Sequence, residues 1–186
     1  LGHRVDDVHT AVVSHLHQDH IGGLPLLAGS TIVIAREEWN TLSKPFSEAR
    51  GFLRSHIDLP GLNWNRITPE PLADPTLGPF TDGHDLFGDG SIIILPTPGH
   101  TPGSISMLVR RPDHAPLLMV GDLTYDANLL TAGKLPGVGD KTQMRDTATK
   151  VNALRHKMPD LAILAAHDPN AANRLNTALT QTSPPA

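Results

Sequence analysis

At 186 residues and 39% hydrophobic content the chain can bury a core, and its lack of cysteine excludes disulfide staples, thiolate metal sites and a cysteine nucleophile. Fifteen Lys and Arg against nineteen Asp and Glu give a net charge of −4 with the signs interspersed, which excludes the cationic field that phosphate backbones require. The longest apolar runs, IIIL and LLMV, are strand-sized and fall short of the roughly 20 residues of a membrane span.

The opening residues lack the charged n-region and apolar h-region of a signal peptide. TAVVS, residues 10–14, reads as a short buried strand, and the run His15, His17, Asp19, His20 starts where it ends. Gly22 and Gly23 allow tight turns, LPLLAG reads as a short helix ending at Gly29, and TIVIA, residues 31–35, reads as a second strand before one or two helical turns in REEWNTL. Residues 44–83 are rich in Pro, Gly and Asn with one helix expected in SEARGFLRSHI, the pattern of a lid or a surface insertion; Phe46, Phe52 and Trp64 are its candidates for lining an apolar pocket.

DLF, GDG and SIIILPT together predict a hairpin turning at Gly88, Asp89 and Gly90, followed by strands in SISMLVRR and PLLMVGD. Residues 140–158 predict a helix capped by Asp140, stopped by Pro159 and apolar along Met144, Ala148, Val151, Leu154 and Met158. LAILAAH, residues 161–167, predicts a last buried strand; Asp168 and Pro169 then open a helix as N-cap and first residue, and TSPPA at the end reads as disordered.

Alternate residues of an extended segment share a face, so His15 and His17 point the same way and can grip one cation. Asp19 and His20 come a turn later and can face a second. A lone histidine needs no such explanation, and His3, His9, His56, His84, His114 and His156 are read as ordinary core or surface groups. Four ionisable side chains packed at one strand end cost several kcal/mol unless something pairs them. Three further strands also end in metal-capable residues: His100 in the turn TPGHTPGS, Asp122 after LLMVG, and His167 after LAILAA. Imidazole with carboxylate suits zinc, and equally manganese, iron or cobalt.

SHLHQDHIGG, PTPGHTPGS, VGDLTY and LAAHDP resemble, in order and spacing, the successive motifs of the metallo-β-lactamase superfamily, over residues 10–175 or so. The resemblance implies an α/β fold, an αββα four-layer sandwich in a single domain over 1–186, with two divalent metals, foremost Zn2+, at one rim of its sheets. It implies that His15, His17 and His100 bind one metal, that Asp19, His20 and His167 bind the other, and that Asp122 bridges them. Tyr125, three residues past Asp122, and the later HD pair look like the N-acyl homoserine lactone lactonases, the quorum-quenching enzymes, in which a tyrosine so placed reaches the substrate carbonyl. Asp122, Tyr125 and Asp19 are then the residues acting in the reaction, and Asp168 an N-cap that could also orient a ligand.

The expected chemistry is hydrolytic opening of a lactone by a hydroxide held between the metals, with Tyr125 sharing the developing oxyanion. Thioesters of the glyoxalase II type and organophosphate triesters are alternatives; a mononuclear iron persulfide dioxygenase-like oxidoreductase, or a chain that keeps the metal site without catalysis, would be another class. A small ester or lactone is the expected partner, with no nucleic acid and no membrane; the compartment is open, the cytoplasm favoured. Relatives normally carry several strands before the first histidine motif, and none precedes Leu1. The implied sandwich therefore lacks N-terminal strands, and the exposed sheet edge favours association, a homodimer being one form.

Overall fold

The computed structural model describes residues 2–180, which form two compact units, the first ending at Thr68 and the second beginning at Pro69. The TSPPA tail lies outside the described residues.

The first unit is built on a three-stranded parallel sheet in the order β1 (Thr10–Val12), β2 (Thr31–Ala35), β3 (Asn63–Ile67). Central β2 is flanked on both edges and buried from Ile32 to Ala35, which is why TIVIA is apolar without alternation. Parallel neighbours need crossover connections. Between β1 and β2 the crossover is the histidine segment with a 3-10 turn at Leu24–Leu27; between β2 and β3 it carries α1 (Arg36–Asn40) and α2 (Arg54–Ile57). Leu16, Ile21, Leu24, Ile32, Ile34, Leu42 and Phe52 form the core of this unit.

Two expectations for residues 44–83 need correction. NWNRI is a strand, although Asn63, Asn65 and Arg66 are exposed, because five residues in register with β2 hold it at the sheet edge. The helix expected over 47–57 is broken into a 3-10 turn at Glu48–Arg50 and α2, since Gly51 takes a φ of 90° that no α-helix contains. Phe52 and the half-buried Trp64 belong to the core, and Phe46 alone of the three aromatics is open to solvent, at 81% exposure.

The second unit holds a six-stranded sheet in sequence order: β4 (Glu70–Pro71), β5 (Asp82–Asp85), β6 (Ile92–Pro96), β7 (Ile105–Val109), β8 (Leu117–Gly121) and β9 (Ala162–Ala165). β4 to β8 run antiparallel, and β9 joins β8 in parallel after a crossover through α3 (Ala127–Thr131) and α4 (Lys141–Lys157); α5 (Ala171–Thr180) follows. The hairpin turn before β6 is closed by Asp85, whose carboxylate accepts from the Gly88 and Gly90 N–H groups. Asp140 caps α4 by accepting from Thr142 and Gln143. That helix buries Met144, Thr147, Ala148, Val151 and Leu154, most of them against the core that Leu95, Leu108, Leu118 and Val120 build on the sheet. Each fully buried leucine there contributes about 2 kcal/mol relative to exposure. Among the described residues no helix is long and apolar enough to cross a membrane.

Candidate metal centre

In an open α/β sheet, ligands gather beyond the carboxyl ends of the strands. The first histidines leave the carboxyl end of β1. His15 is fully buried, and Leu16 between it and His17 is fully buried in the core, so the backbone there is anchored on an apolar side chain. A turn in which the His20 N–H donates to the His17 carbonyl at 3.0 Å folds the segment back on itself. The His20 ring lies with its centroid 4.1 Å from that of His15, and the His17 ring 4.8 Å from it and edge-on. Nε2 of His20 is 3.5 Å from Oδ2 of Asp19, a half-exposed side chain.

Four contacts that the sequence did not reveal fix this segment. The Ser14 hydroxyl is 3.1 Å from Nδ1 of His15, setting the ring orientation. The Leu16 N–H donates to Oε1 of Glu38 at 2.9 Å, and Glu38 is fully buried. The Phe52 ring lies 5.1 Å from that of His17, and Gly51 approaches so closely that a Cβ there would stand 3.2 Å from His17 Cδ2. The signal for Glu38 was its spacing: it precedes Leu42 by four residues and so shares that residue's buried side, whereas Glu37 is exposed.

In the second unit, His100 sits in the turn from β6 to β7. Hydrogen bonds from Thr97 to Ser104 and from Gly99 to Thr101 tighten the turn, and Thr147 of α4 donates to the Pro98 carbonyl at 2.7 Å. Gly99, at φ 137°, faces the Met144 backbone, where a Cβ would come within 2.5 Å. The start of α4 thus sets the height of His100. Asp122 follows β8 and His167 follows β9, and the parallel ladder runs to the last residue of β8 and one residue past β9, with Ala166 donating to the Gly121 carbonyl at 3.1 Å. Strand pairing therefore sets Asp122 beside His167. Oδ2 of Asp122 lies 3.3 Å from Nε2 of His167 and 3.5 Å from Nε2 of His100, and both Asp122 and His100 are buried.

These separations are long for charge-assisted hydrogen bonds, which run about 2.7–2.9 Å. They match the edge of a coordination tetrahedron: two donors each about 2.0–2.1 Å from one zinc ion are roughly 3.4 Å apart. The Asp19–His20 spacing has the same value. A set of imidazoles and carboxylates so spaced and sunk at strand ends is a donor set for divalent cations.

Tyr125 is partly exposed at 38% and stands edge-on to the His167 ring, centroids 5.4 Å apart. Asp168 does more than cap, and α5 begins at Ala171 rather than at Pro169. Oδ1 of Asp168 accepts from the Asn170 N–H, while Oδ2 accepts from the Ala127 N–H and from Arg174 Nε, so its side chain joins α3 to α5. Burial alone would raise its carboxyl pKa, but the Asn170 and Ala127 N–H groups and the Arg174 guanidinium together outweigh it and hold the carboxyl below the ordinary range. A cavity of about 610 Å³ in this unit, lined by Leu161, Ile163, Asn173 and Arg174 among others, is remote in its lining from all of these ligands. Its arginines already bond elsewhere, Arg174 to Asp168 and Arg155 to Thr131, which leaves the site chemistry with the histidine and aspartate cluster.

The family model of the metallo-beta-lactamase superfamily matches residues 1–167. The N-acyl homoserine lactonase AttM of Rhizobium radiobacter is 34% identical over 174 residues, covering 92% of this chain and 62% of the relative; AttM of Azorhizobium caulinodans is 32% identical over 168 residues, covering 89% and 60%. A solved N-acyl homoserine lactone hydrolase, with the product N-hexanoyl-L-homoserine bound at its catalytic metal centre, superposes with a TM-score of 0.71 at 23% identity, covering 92% of this chain and 60% of that one. The chain thus spans about three fifths of the length of the curated relatives it matches. One parallel and one mixed sheet with helices in the crossovers, and histidines and aspartates at the carboxyl ends of strands, agree with that match, and the chain belongs to the metallo-β-lactamase superfamily.

Proposed function

We propose that the protein opens the lactone ring of N-acyl homoserine lactones, using two adjacent divalent ions, foremost zinc, in a single αββα domain spanning residues 1–186. His15, His17 and His100 would hold one ion, Asp19, His20 and His167 the other, and Asp122 would be shared. The observation that carries the reading is the Asp122 carboxylate set between the His100 and His167 imidazoles at 3.5 and 3.3 Å, the posture of a bridging ligand. The names of the relatives, lactonases at 34% and 32% identity, favour a lactone over a thioester or a phosphotriester. Manganese, iron and cobalt suit the same donors.

A pair of divalent ions lowers the pKa of bound water toward neutrality and polarises a carbonyl oxygen. The rest falls to the chain. Tyr125, exposed beside His167, donates its hydroxyl proton to the oxygen on which negative charge develops, an interaction stronger in the transition state than in the ground state. Asp122, buried and already between two imidazoles, would accept the proton that the attacking water gives up and hand it to the departing ring oxygen, while Asp19 orients His20. Exposed Phe46 offers apolar surface to an acyl chain.

The test is ring opening of N-hexanoyl homoserine lactone by zinc-loaded protein, followed by proton release. His17→Ala and Asp122→Ala are each expected to lower kcat/KM at least about a hundredfold, and Tyr125→Phe about a hundredfold to a thousandfold, by loss of one oxyanion donor. Full activity in either ligand variant would refute the proposal.

A further inference from the structure

Glu38 is a fully buried carboxylate in a unit whose other acidic side chains lie at the surface or in turns, and the chemistry proposed above makes no use of it. It comes from α1, which starts directly at the end of β2, so the strand fixes its position. Its Oε1 accepts from the N–H of Leu16, the peptide between His15 and His17, at 2.9 Å. The Thr41 hydroxyl donates to the Glu38 carbonyl at 2.6 Å and holds the short helix closed around it.

Taking a carboxylate out of water costs several kcal/mol, so a charge at this depth persists only where its surroundings favour it. The peptide it grips is the one whose neighbours carry the imidazoles on either side. We propose that Glu38 is a positioning residue for the His15 and His17 half of the metal centre, holding the Leu16 backbone and supplying negative charge behind a bound cation; this rests on the metal reading above. Linkage makes the effect mutual: a cation that favours the Glu38 charge is bound more tightly because of it.

The experiment is a competitive chelator titration of the metal-stripped full chain with zinc, alongside far-UV circular dichroism and thermal unfolding of the metal-free proteins. Glu38→Gln keeps an acceptor of the same shape and removes the charge; it is expected to leave the metal-free fold intact and to weaken zinc binding about tenfold to a hundredfold, the range for residues that support metal ligands. Glu38→Asp keeps the charge on a shorter arm and is expected to fall between wild type and Glu38→Gln. Equal zinc affinity in wild type and Glu38→Gln, or tighter binding by Glu38→Gln than by Glu38→Asp, would overturn the role of charge. So would a metal-free Glu38→Gln chain that fails to fold, because the fold would then need the carboxylate without any cation. A wild-type chain that binds no zinc would overturn the metal reading itself, a result distinct from a wild type that binds normally and a Glu38→Gln variant that matches it.

Discussion

One carboxylate joins α3 and α5: Asp168, whose side chain is wholly buried, accepts from the backbone of Ala127 and Asn170 and from Arg174. Hydrogen bonds to a charged acceptor contribute about 1.5–3 kcal/mol each, and removing the acceptor strands donors that stay buried. Asp168→Asn is therefore expected to lower unfolding stability by about 2–3 kcal/mol in urea titration, because its amide turns an N–H donor toward the Ala127 N–H. A loss below about 0.5 kcal/mol would mean that water replaces the carboxylate. At this scale the sequence was half legible. Asp168 before Pro169 announces a cap, but the contacts to Ala127, 41 residues earlier, depend on how the crossover returns to the sheet. Likewise, Glu37 and Glu38 are indistinguishable by type, and only the packing of α1 separates a surface acid from a buried one.

Elements constrain the site through close backbone approach. In the turn bearing His100, Gly99 is needed less for the turn than for α4, since a Cβ would come within 2.5 Å of the Met144 backbone, and Gly139 in turn presses on the Gly99 carbonyl. Gly99→Ala is expected to destabilise the chain by at least about 2 kcal/mol through contact and strained φ, read as a lower melting temperature, with less bound divalent metal if His100 serves as a ligand, as proposed. The prolines and glycines of TPGHTPGS announce a tight turn, but not that a helix forty residues later requires it. The strand β3 escaped detection for a related reason: an edge strand is held by backbone pairing and can expose Asn and Arg.

A second link between elements is pH-sensitive. Asp74, ahead of the 3-10 turn at Pro75–Leu77, pairs with Arg110 just after β7 at 2.6 Å and accepts from Thr76. Partial burial would raise its pKa, but the Thr76 and Arg110 interactions outweigh that and hold the carboxyl below its ordinary 3.8. A carboxyl lowered in the folded state stabilises it fully above the unfolded pKa, and the contribution disappears as pH falls through the folded value. Asp74→Asn should therefore cost about 1 kcal/mol at pH 7, where the pair is partly solvated, and nearly nothing below about pH 2. Urea titrations of both proteins at the two pH values check this, and a difference that persists in acid would assign the effect to packing.

Over the whole molecule, metal and stability are coupled, because ions that bind only the folded chain stabilise it by mass action, about 4 kcal/mol at a thousandfold excess over Kd. Chelation with EDTA is expected to lower the melting temperature of the wild-type chain by several degrees and to leave that of His17→Ala nearly unchanged. An equal response of both would disconnect the histidines from metal. By itself, the sequence determined which residues can ligate and that each follows a strand, because side-chain chemistry and apolar runs are local properties. Only tertiary structure decided which acid is buried beneath the histidines, that Asp122 lies between His100 and His167, and that NWNRI is a strand, because burial, strand pairing and the spacing of ligands from different strands are fixed by neighbours distant along the chain.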